Sequence, residues 1–529
     1  MKQINFLPLY GSLSFSGRHA MLCKREHLAI LLIIIAGMLL RFHGIGFRDF
    51  NLDEAYSFLF AKNYSFDVVL SPMSVLNSGD RHPTLHYVIC WLWLRSACPL
   101  LQATGLSMEA AFRSFATLFS FFTLITAIYC GRHIAGVRGG LLTGALLAFN
   151  GMSVFLAQDA RMYSMLELAG ACLFASLLRC QSDTEGKWSN LLLLILSSWF
   201  LMLCHYTGII FVFSAWSWLF IKYKFWRSQL VIGALILTGL YAYWFFGFLF
   251  QLHKEQAGAT AGFKFSSGLV VPFTYFSFIV GETLVLIKER SDLFSALPWI
   301  ILVFTLVTIG LLGSWRFLRT YPKENVRALE VAVWLAFIPI LLMLLGSLWV
   351  HKLFMSVRYA VAALVPFVIL IAVGLVTWAD KRNKYLATIA ILFYFFVSIA
   401  TLSNMYQLKV KPTTSWKSIA AYLNELKPAA VAIYSPYMKL PLSIYYSGAP
   451  LVPLPEQVMG SWDKLIKVRP ELVKHDSDIV LMLSHPKMYR SQYLQLFSIS
   501  SHLRRLKTDF FDVELFLKPA ANEAYITKR

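Results

Sequence analysis

Apolar runs recur along the chain, each bounded by a short polar connection. Many reach the length of about 18 residues that lets a helix span a bilayer. They predict spans over 27–46, 111–131, 139–157, 163–179, 189–204, 206–221, 229–251, 295–314, 329–350, 357–377 and 385–403. The pattern is that of an all-α polytopic membrane protein with eleven spans. One more apolar segment, 84–101, is interrupted by Arg95, and a charge near the bilayer centre is costly. The stretch 262–290 is a candidate for a further span and is placed here as a partly interfacial loop on the outer side.

Beyond 403 the pattern changes. "TTSWKSIAAYLNELKP" reads as an amphipathic helix, and "AVAIYS", "LVPLP" and "DIVLMLS" read as strands, with helical patterns at 461–469 and 487–498. Such alternation predicts a small α/β domain over 404–529.

Charge orients these segments. A net charge of +20 would suggest nucleic acid in a soluble protein. Here only 14% of residues are charged and 58% are hydrophobic, against about 25% charged in soluble domains. The basic residues gather in short connections at 131–138, 222–227, 316–327 and 380–384. If 84–101 does not cross, all four lie on the cytoplasmic side, as the positive-inside rule requires; if it crosses, all four lie outside. The segment is therefore expected along the interface, with its Trp and Tyr at headgroup depth. Residues 1–26 then form a cytoplasmic N-terminus, 27–403 the transmembrane domain, and the 47–83 loop and C-terminal domain are extracytoplasmic. The charge marks topology, and no nucleic-acid partner is expected. Lys24-Arg25 precede an apolar run too long for a signal-peptide core, which reads as a retained first span. No cysteine follows Cys204 and none has C-x2-C spacing, so neither disulfides in the C-terminal domain nor a cysteine metal site is expected.

The outer side collects polar residues from distant parts of the chain. The loop contributes Asp53, Glu54, Arg81 and His82, and span ends contribute Arg113, Gln158-Asp159, Arg161, Tyr163, His205-Tyr206 and Arg358-Tyr359. Asp53-Glu54 in "FRDFNLDEAYSF" reads plainly as a carboxylate pair on a helix N-terminus. A carboxylate at that depth also suits a general base on an acceptor hydroxyl. His82, before the helix-entry Pro83, either decorates a loop or, with Arg81, contacts a phosphate. Arg113, Arg161 and Tyr163 read as snorkelling Arg and interfacial Tyr. Several cations on one face also suit a phosphate leaving group.

Taken in order, "LDEAYS", "HPTLHY", "FRSFATL", "AQDARMYSML", "CHYTG", "VRYAVAALVP" and "KPTTSWKSIAAYL" resemble the bacterial branch of the dolichyl-phosphate-mannose–protein mannosyltransferase family. Its superfamily includes the lipid A aminoarabinose transferases, and its fold is termed GT-C. The resemblance implies a bacterial inner-membrane transferase that uses a polyprenyl-phosphate-linked sugar on the extracytoplasmic face. The acceptor would be a protein, glycolipid or polysaccharide. It implies Asp53 as catalytic carboxylate and Glu54 as its partner in acceptor or sugar contact. His82, Arg113 and Arg161 match positions near the donor phosphate, and Tyr163, His205, Tyr206, Arg358 and Tyr359 match substrate-binding positions. No cofactor or metal is expected, because such a donor arrives activated. Thr84 replaces the second proline of the family's His-Pro-Pro, and Asp159 stands where many members have Glu. The competing class is a transporter or flippase of lipid-linked sugars. It would place ionisable residues at mid-membrane on paired, discontinuous spans, whereas here they lie at span ends on one side.

Overall fold

The computed structural model describes residues 17–77, 82–257, 269–281, 292–348, 356–380, 383–410, 415–454, 479–484, 504–506 and 513–518. Arg81 and the helical patterns at 461–469 and 487–498 lie outside these residues. The first part of the chain forms α1 (Gly17–Phe42), α2 (Leu52–Asn63), α3 (Phe66–Leu70), α4 (Pro72–Asn77), α5 (Leu85–Ala103) and α6 (Met108–Ala148). Then come α7 (Gly151–Ala157), α8 (Tyr163–Ser182), α9 (Trp188–Cys204), α10 (Gly208–Lys222), α11 (Arg227–Ala257) and α12 (Val270–Val280). The remaining helices are α13 (Asp292–Thr320), α14 (Lys323–Gly346), α15 (Leu364–Asp380), α16 (Lys384–Val410), α17 (Trp416–Leu426) and α18 (Lys439–Tyr445).

Among the described residues, seven helical segments are long and apolar enough to cross a membrane: α6, α8, α11, α13, α14, α15 with the 3-10 turn before it, and α16. The helices α9, α10 and α12 are apolar but shorter. The expected spans 111–131 and 139–157 fall largely within α6, which breaks at Ala135 and Gly136. Gly136 has φ +65°, a left-handed conformation that glycine adopts without steric cost. The chain reverses there, because Gly131 faces Gly139 and Thr143, and Gly140 faces Ile128. Two expected spans are thus the two arms of one hairpin.

Helix α5 explains Arg95. Its guanidinium stacks 4.0 Å from the Trp91 ring and donates to Ala61 O at 2.8 Å, satisfying a carbonyl in the last turn of α2. Within 262–290 the structure forms the 11-residue α12, whose residues Thr274–Val280 are buried. That is too short to span, and the rest of that stretch lies outside the described residues.

Helix α15 is the axis of the membrane region. Every residue from Leu364 to Thr377 is buried, as an all-round apolar helix requires. It packs against α6, α13, α14 and α16. Its crossing with α13 depends on missing side chains: a Cβ on Gly374 would lie 1.8 Å from Gly310 O. Ser314 Oγ donates to Leu370 O across the same contact, the small-and-polar interface expected where packing alone must drive association.

The C-terminal sheet contains β1 (Ala430–Tyr434), β2 (Leu451–Pro453), β3 (Ile479–Ser484), β4 (Arg504–Arg505) and β5 (Val513–Lys518), in the order β2-β1-β3-β5-β4. β1 runs parallel to β2 and β3, while β5 runs antiparallel to β3 and β4. Alternation along the strands divides the core. Val431, Ile433, Val480 and Met482 pack with Trp416, Ile419, Leu423 and Leu442 of α17 and α18. Ala432, Tyr434, Leu481 and Phe516 form a second cluster.

Gly374→Val should force α13 and α15 apart. Overpacking costs typically about 1–3 kcal/mol, which a lowered melting temperature of the purified protein in detergent would register.

Candidate active site

The site begins where α1 hands the chain to α2. Asn51 Oδ1 accepts from Glu54 N at 2.9 Å, and Glu54 Oε2 accepts from Asn51 N at 3.0 Å. This is a capping box, fixing the first turn of α2. Glu54 is wholly buried and receives more: Arg113 Nε and Nη2 each donate to it at 2.7 Å, and Ala160 N donates at 2.9 Å. Arg113 spends its other donors on Ile45 O, Arg48 O and Asp49 O, at 2.7–3.0 Å. All five guanidinium N–H groups are thereby used inside the protein. Both side chains, expected in sugar contact and at a phosphate respectively, are here engaged in holding the loop. Burial alone would raise the Glu54 carboxyl. The Arg113 charge and hydrogen bonds, with help from Arg48 and Ala160 N, outweigh it and hold the group down to about 2.

Asp53 lies one position earlier and faces outward, exposed. Beneath it, Arg161 Nη1 donates to Ser57 Oγ at 2.9 Å and to Asp53 O at 3.3 Å. Ser57 Oγ also lies 3.1 Å from His86 Nε2. Beside it, the buried Asp159 takes a 3.4 Å contact from Asn51 Nδ2 and a 3.5 Å contact from Arg358 Nη1. Burial first, then the charges of Glu54 and Asp53, push the Asp159 carboxyl up against the opposing pull of Arg358 and Arg48.

Aromatic rings form the adjoining wall. The Arg358 guanidinium sits over Tyr163 at 5.6 Å and over Phe155 at 5.0 Å. His205 contacts Tyr359 at 4.5 Å and His82 at 5.1 Å, and Tyr163 stacks toward Tyr359 at 6.4 Å. Thr207 Oγ1 donates to Tyr359 O and lies 2.8 Å from His205 Nδ1, joining the α9–α10 turn to the 3-10 turn Val357–Ala363 that leads into α15. The Tyr206 ring lies 5.5 Å from Phe248 of α11.

The structure therefore gathers Asp53, His82, Arg161, Tyr163, His205, Arg358 and Tyr359. Sequence reasoning missed Ser57 and His86. Their signal was spacing, since Ser57 follows Asp53 and His86 follows His82 by one helical turn. Among the described residues, no three His, Cys, Asp or Glu side chains lie together as a metal site would need. Chemically, the arrangement offers an exposed carboxylate, cations suited to an anion, and ring faces suited to a flat or hydroxylated ligand.

No family model matches the sequence, and no curated protein sequence matches it. Solved structures do match. ArnT from Cupriavidus metallidurans, crystallised bound to undecaprenyl phosphate, is 13% identical with a TM-score of 0.56, over 93% of this chain and 98% of that one. The archaeal oligosaccharyltransferase AglB from Archaeoglobus fulgidus, in complex with an inhibitory peptide and a dolichol-phosphate, is 11% identical. Its TM-score is 0.50, over 89% of this chain and 71% of that one. The Archaeoglobus fulgidus oligosaccharyltransferase in complex with Zn and sulfate is 10% identical with a TM-score of 0.53, over 89% and 70%. At these identities the likeness is one of fold. The chain shares that fold: a polytopic membrane protein with a small C-terminal α/β domain.

Glu54→Gln leaves the buried Arg113 charge without its counter-ion. The expected loss is about 3–5 kcal/mol, measured by thermal melting in detergent. The pH dependence has a fixed sign, because the folded Glu54 carboxyl sits near 2 against an ordinary 4.5. Its stabilisation is complete above pH 4.5 and is lost as pH falls toward 2. Glu54→Gln should flatten that acid limb.

Proposed function

We propose that the protein is a membrane glycosyltransferase. It moves a sugar from a polyprenyl-phosphate-linked donor to an acceptor hydroxyl on the extracytoplasmic face, with Asp53 as general base. The observation that carries this reading is the exposed Asp53, whose backbone carbonyl Arg161 meets, on the same site as the Asp159–Arg358 contact and the His82–His205–Tyr359 rings, in a fold shared with ArnT. ArnT was crystallised bound to undecaprenyl phosphate, and AglB was solved in complex with a dolichol-phosphate, which supports a lipid-phosphate donor here too. Basic connections at 131–138, 222–227, 316–327 and 380–384 support an outward-facing site. The setting we favour is the bacterial inner membrane.

The mechanism follows from the placement of charge. Asp53 takes the proton of the acceptor hydroxyl as that oxygen attacks the anomeric carbon. The carbon–oxygen bond to the lipid phosphate breaks, and the phosphate leaves with its electron pair. Arg161, Arg358 and His82 stabilise the charge that develops on it. Tyr163, His205 and Tyr359 offer ring faces to the sugar, and the isoprenoid tail lies along the apolar helices. A protein hydroxyl, a glycolipid or a polysaccharide each satisfies the acceptor chemistry.

The test is reconstitution in vesicles with a labelled polyprenyl-phosphate sugar and an envelope extract as acceptor source. Labelled product is expected; movement of the lipid across the bilayer without product would make the protein a flippase instead. Asp53→Asn should lower transfer by about 10²–10⁴-fold, the usual value of a general base, with an unchanged melting temperature. Wild-type turnover in that variant would remove Asp53 from its role. Arg358→Gln should cost about 10²–10³-fold in kcat, as loss of an electrostatic stabiliser does.

A further inference from the structure

We propose that the C-terminal α/β domain is a positioning part of the active site. Through Asp49, Glu109, Lys417 and Tyr445 it fixes the backbone on which Asp53 stands. The inference rests on the transferase reading above and extends it to residues outside the expected site.

Two nearly buried carboxylates on the membrane region, Asp49 and Glu109, find cationic or hydroxyl partners in the domain. Asp49 Oδ2 accepts from the backbone N–H of Lys417 at 2.9 Å and from Ser415 Oγ at 3.3 Å. It thus caps α17 from another part of the chain. Glu109 Oε1 receives Lys417 Nζ at 2.7 Å and Tyr445 OH at 2.8 Å. The same tyrosine oxygen accepts from Phe50 N at 3.0 Å. These polar contacts between the domain and the membrane region land on Asp49, Phe50 and Glu109. Apolar contact falls in the same place, since Leu440, Ile444 and Tyr445 of α18 pack on the cluster that holds Phe50, Phe58 and Phe112.

The loop before α2 is consequently gripped from two sides. Arg113 holds the carbonyls of Ile45, Arg48 and Asp49 from within. The domain holds the Asp49 side chain and the Phe50 amide from without. Asp53 follows Phe50 by less than one helical turn, so slack at Phe50 moves the carboxylate relative to the cations. A shift of about 1 Å at a reacting group can cost 10²-fold. The domain's grip falls on the loop that carries Asp53, so its loss should act on base placement before donor binding.

Tyr445→Phe keeps the ring and removes the bridging hydroxyl. Expected is a kcat lowered about tenfold with KM for the lipid-linked donor unchanged, and faster amide hydrogen exchange across residues 48–57. Lys417→Ala should act in the same direction, and Lys417→Arg should return most of the loss. Wild-type exchange in Tyr445→Phe overturns the proposal, as does faster exchange with wild-type kcat, or a raised KM with kcat intact. If the unaltered protein transfers no sugar from any lipid-linked donor, the transferase reading fails. The exchange measurement then decides by itself whether the domain holds the loop.

Discussion

A guanidinium buried away from water has five N–H groups to satisfy, and a carboxylate beside it has four lone-pair directions. Glu54 and Arg113 meet that requirement jointly, and in doing so they draw four chain segments to one point. Arg113 belongs to α6, Glu54 to α2, the carbonyls of Ile45, Arg48 and Asp49 to the loop between α1 and α2, and Ala160 N to the link between α7 and α8. The loop has the course it has because that is where Arg113 needs acceptors. Successive residues on a helix point about 100° apart, so with Glu54 turned inward its neighbour Asp53 is left facing out. One carboxylate is committed to holding the site, and the other is left available for chemistry.

Contact distances separate the remaining charges in the same way. The Glu54–Arg113 pair closes at 2.7 Å on both arms, whereas Asp159 and Arg358 meet only at 3.5 Å. Arg358 keeps 23% of its side-chain exposure, against 2% for Arg113. A long, partly wet contact costs little to exchange for an anion, and a short, dry, bidentate one costs several kcal/mol to break. Asp159, buried and crowded by two other carboxylates, accepts a proton more readily than an ordinary aspartate. Its hold on Arg358 is weakened accordingly.

The helical scaffold was legible in the sequence because lipid imposes a length that composition alone can read. The break at Gly136 left a mark too, although only φ distinguishes it from the other glycines of that region. The ordered motifs indicated which residues would converge, but not which of two adjacent carboxylates would face solvent; that depends on the capping box closing around Asn51. Asp49 and Glu109 were invisible, since Ser415 and Tyr445 lie 366 and 336 positions away in the chain. No local pattern encodes such a partnership. β4 has only two residues and β5 only six, too few to declare a period.

Helix α15 has no face for lipid, so it gains its stability only once surrounded. Of its main neighbours, α6, α13 and α14 precede it in the chain and α16 follows. During synthesis, which proceeds from the N-terminus, those earlier helices must form a socket with its centre unfilled. The arriving α15 fills that socket and brings Arg358 and Tyr359 in on the turn directly before it. Assembly of the membrane core and completion of the cationic wall are therefore one late event, and a chain that stops short of α15 lacks both.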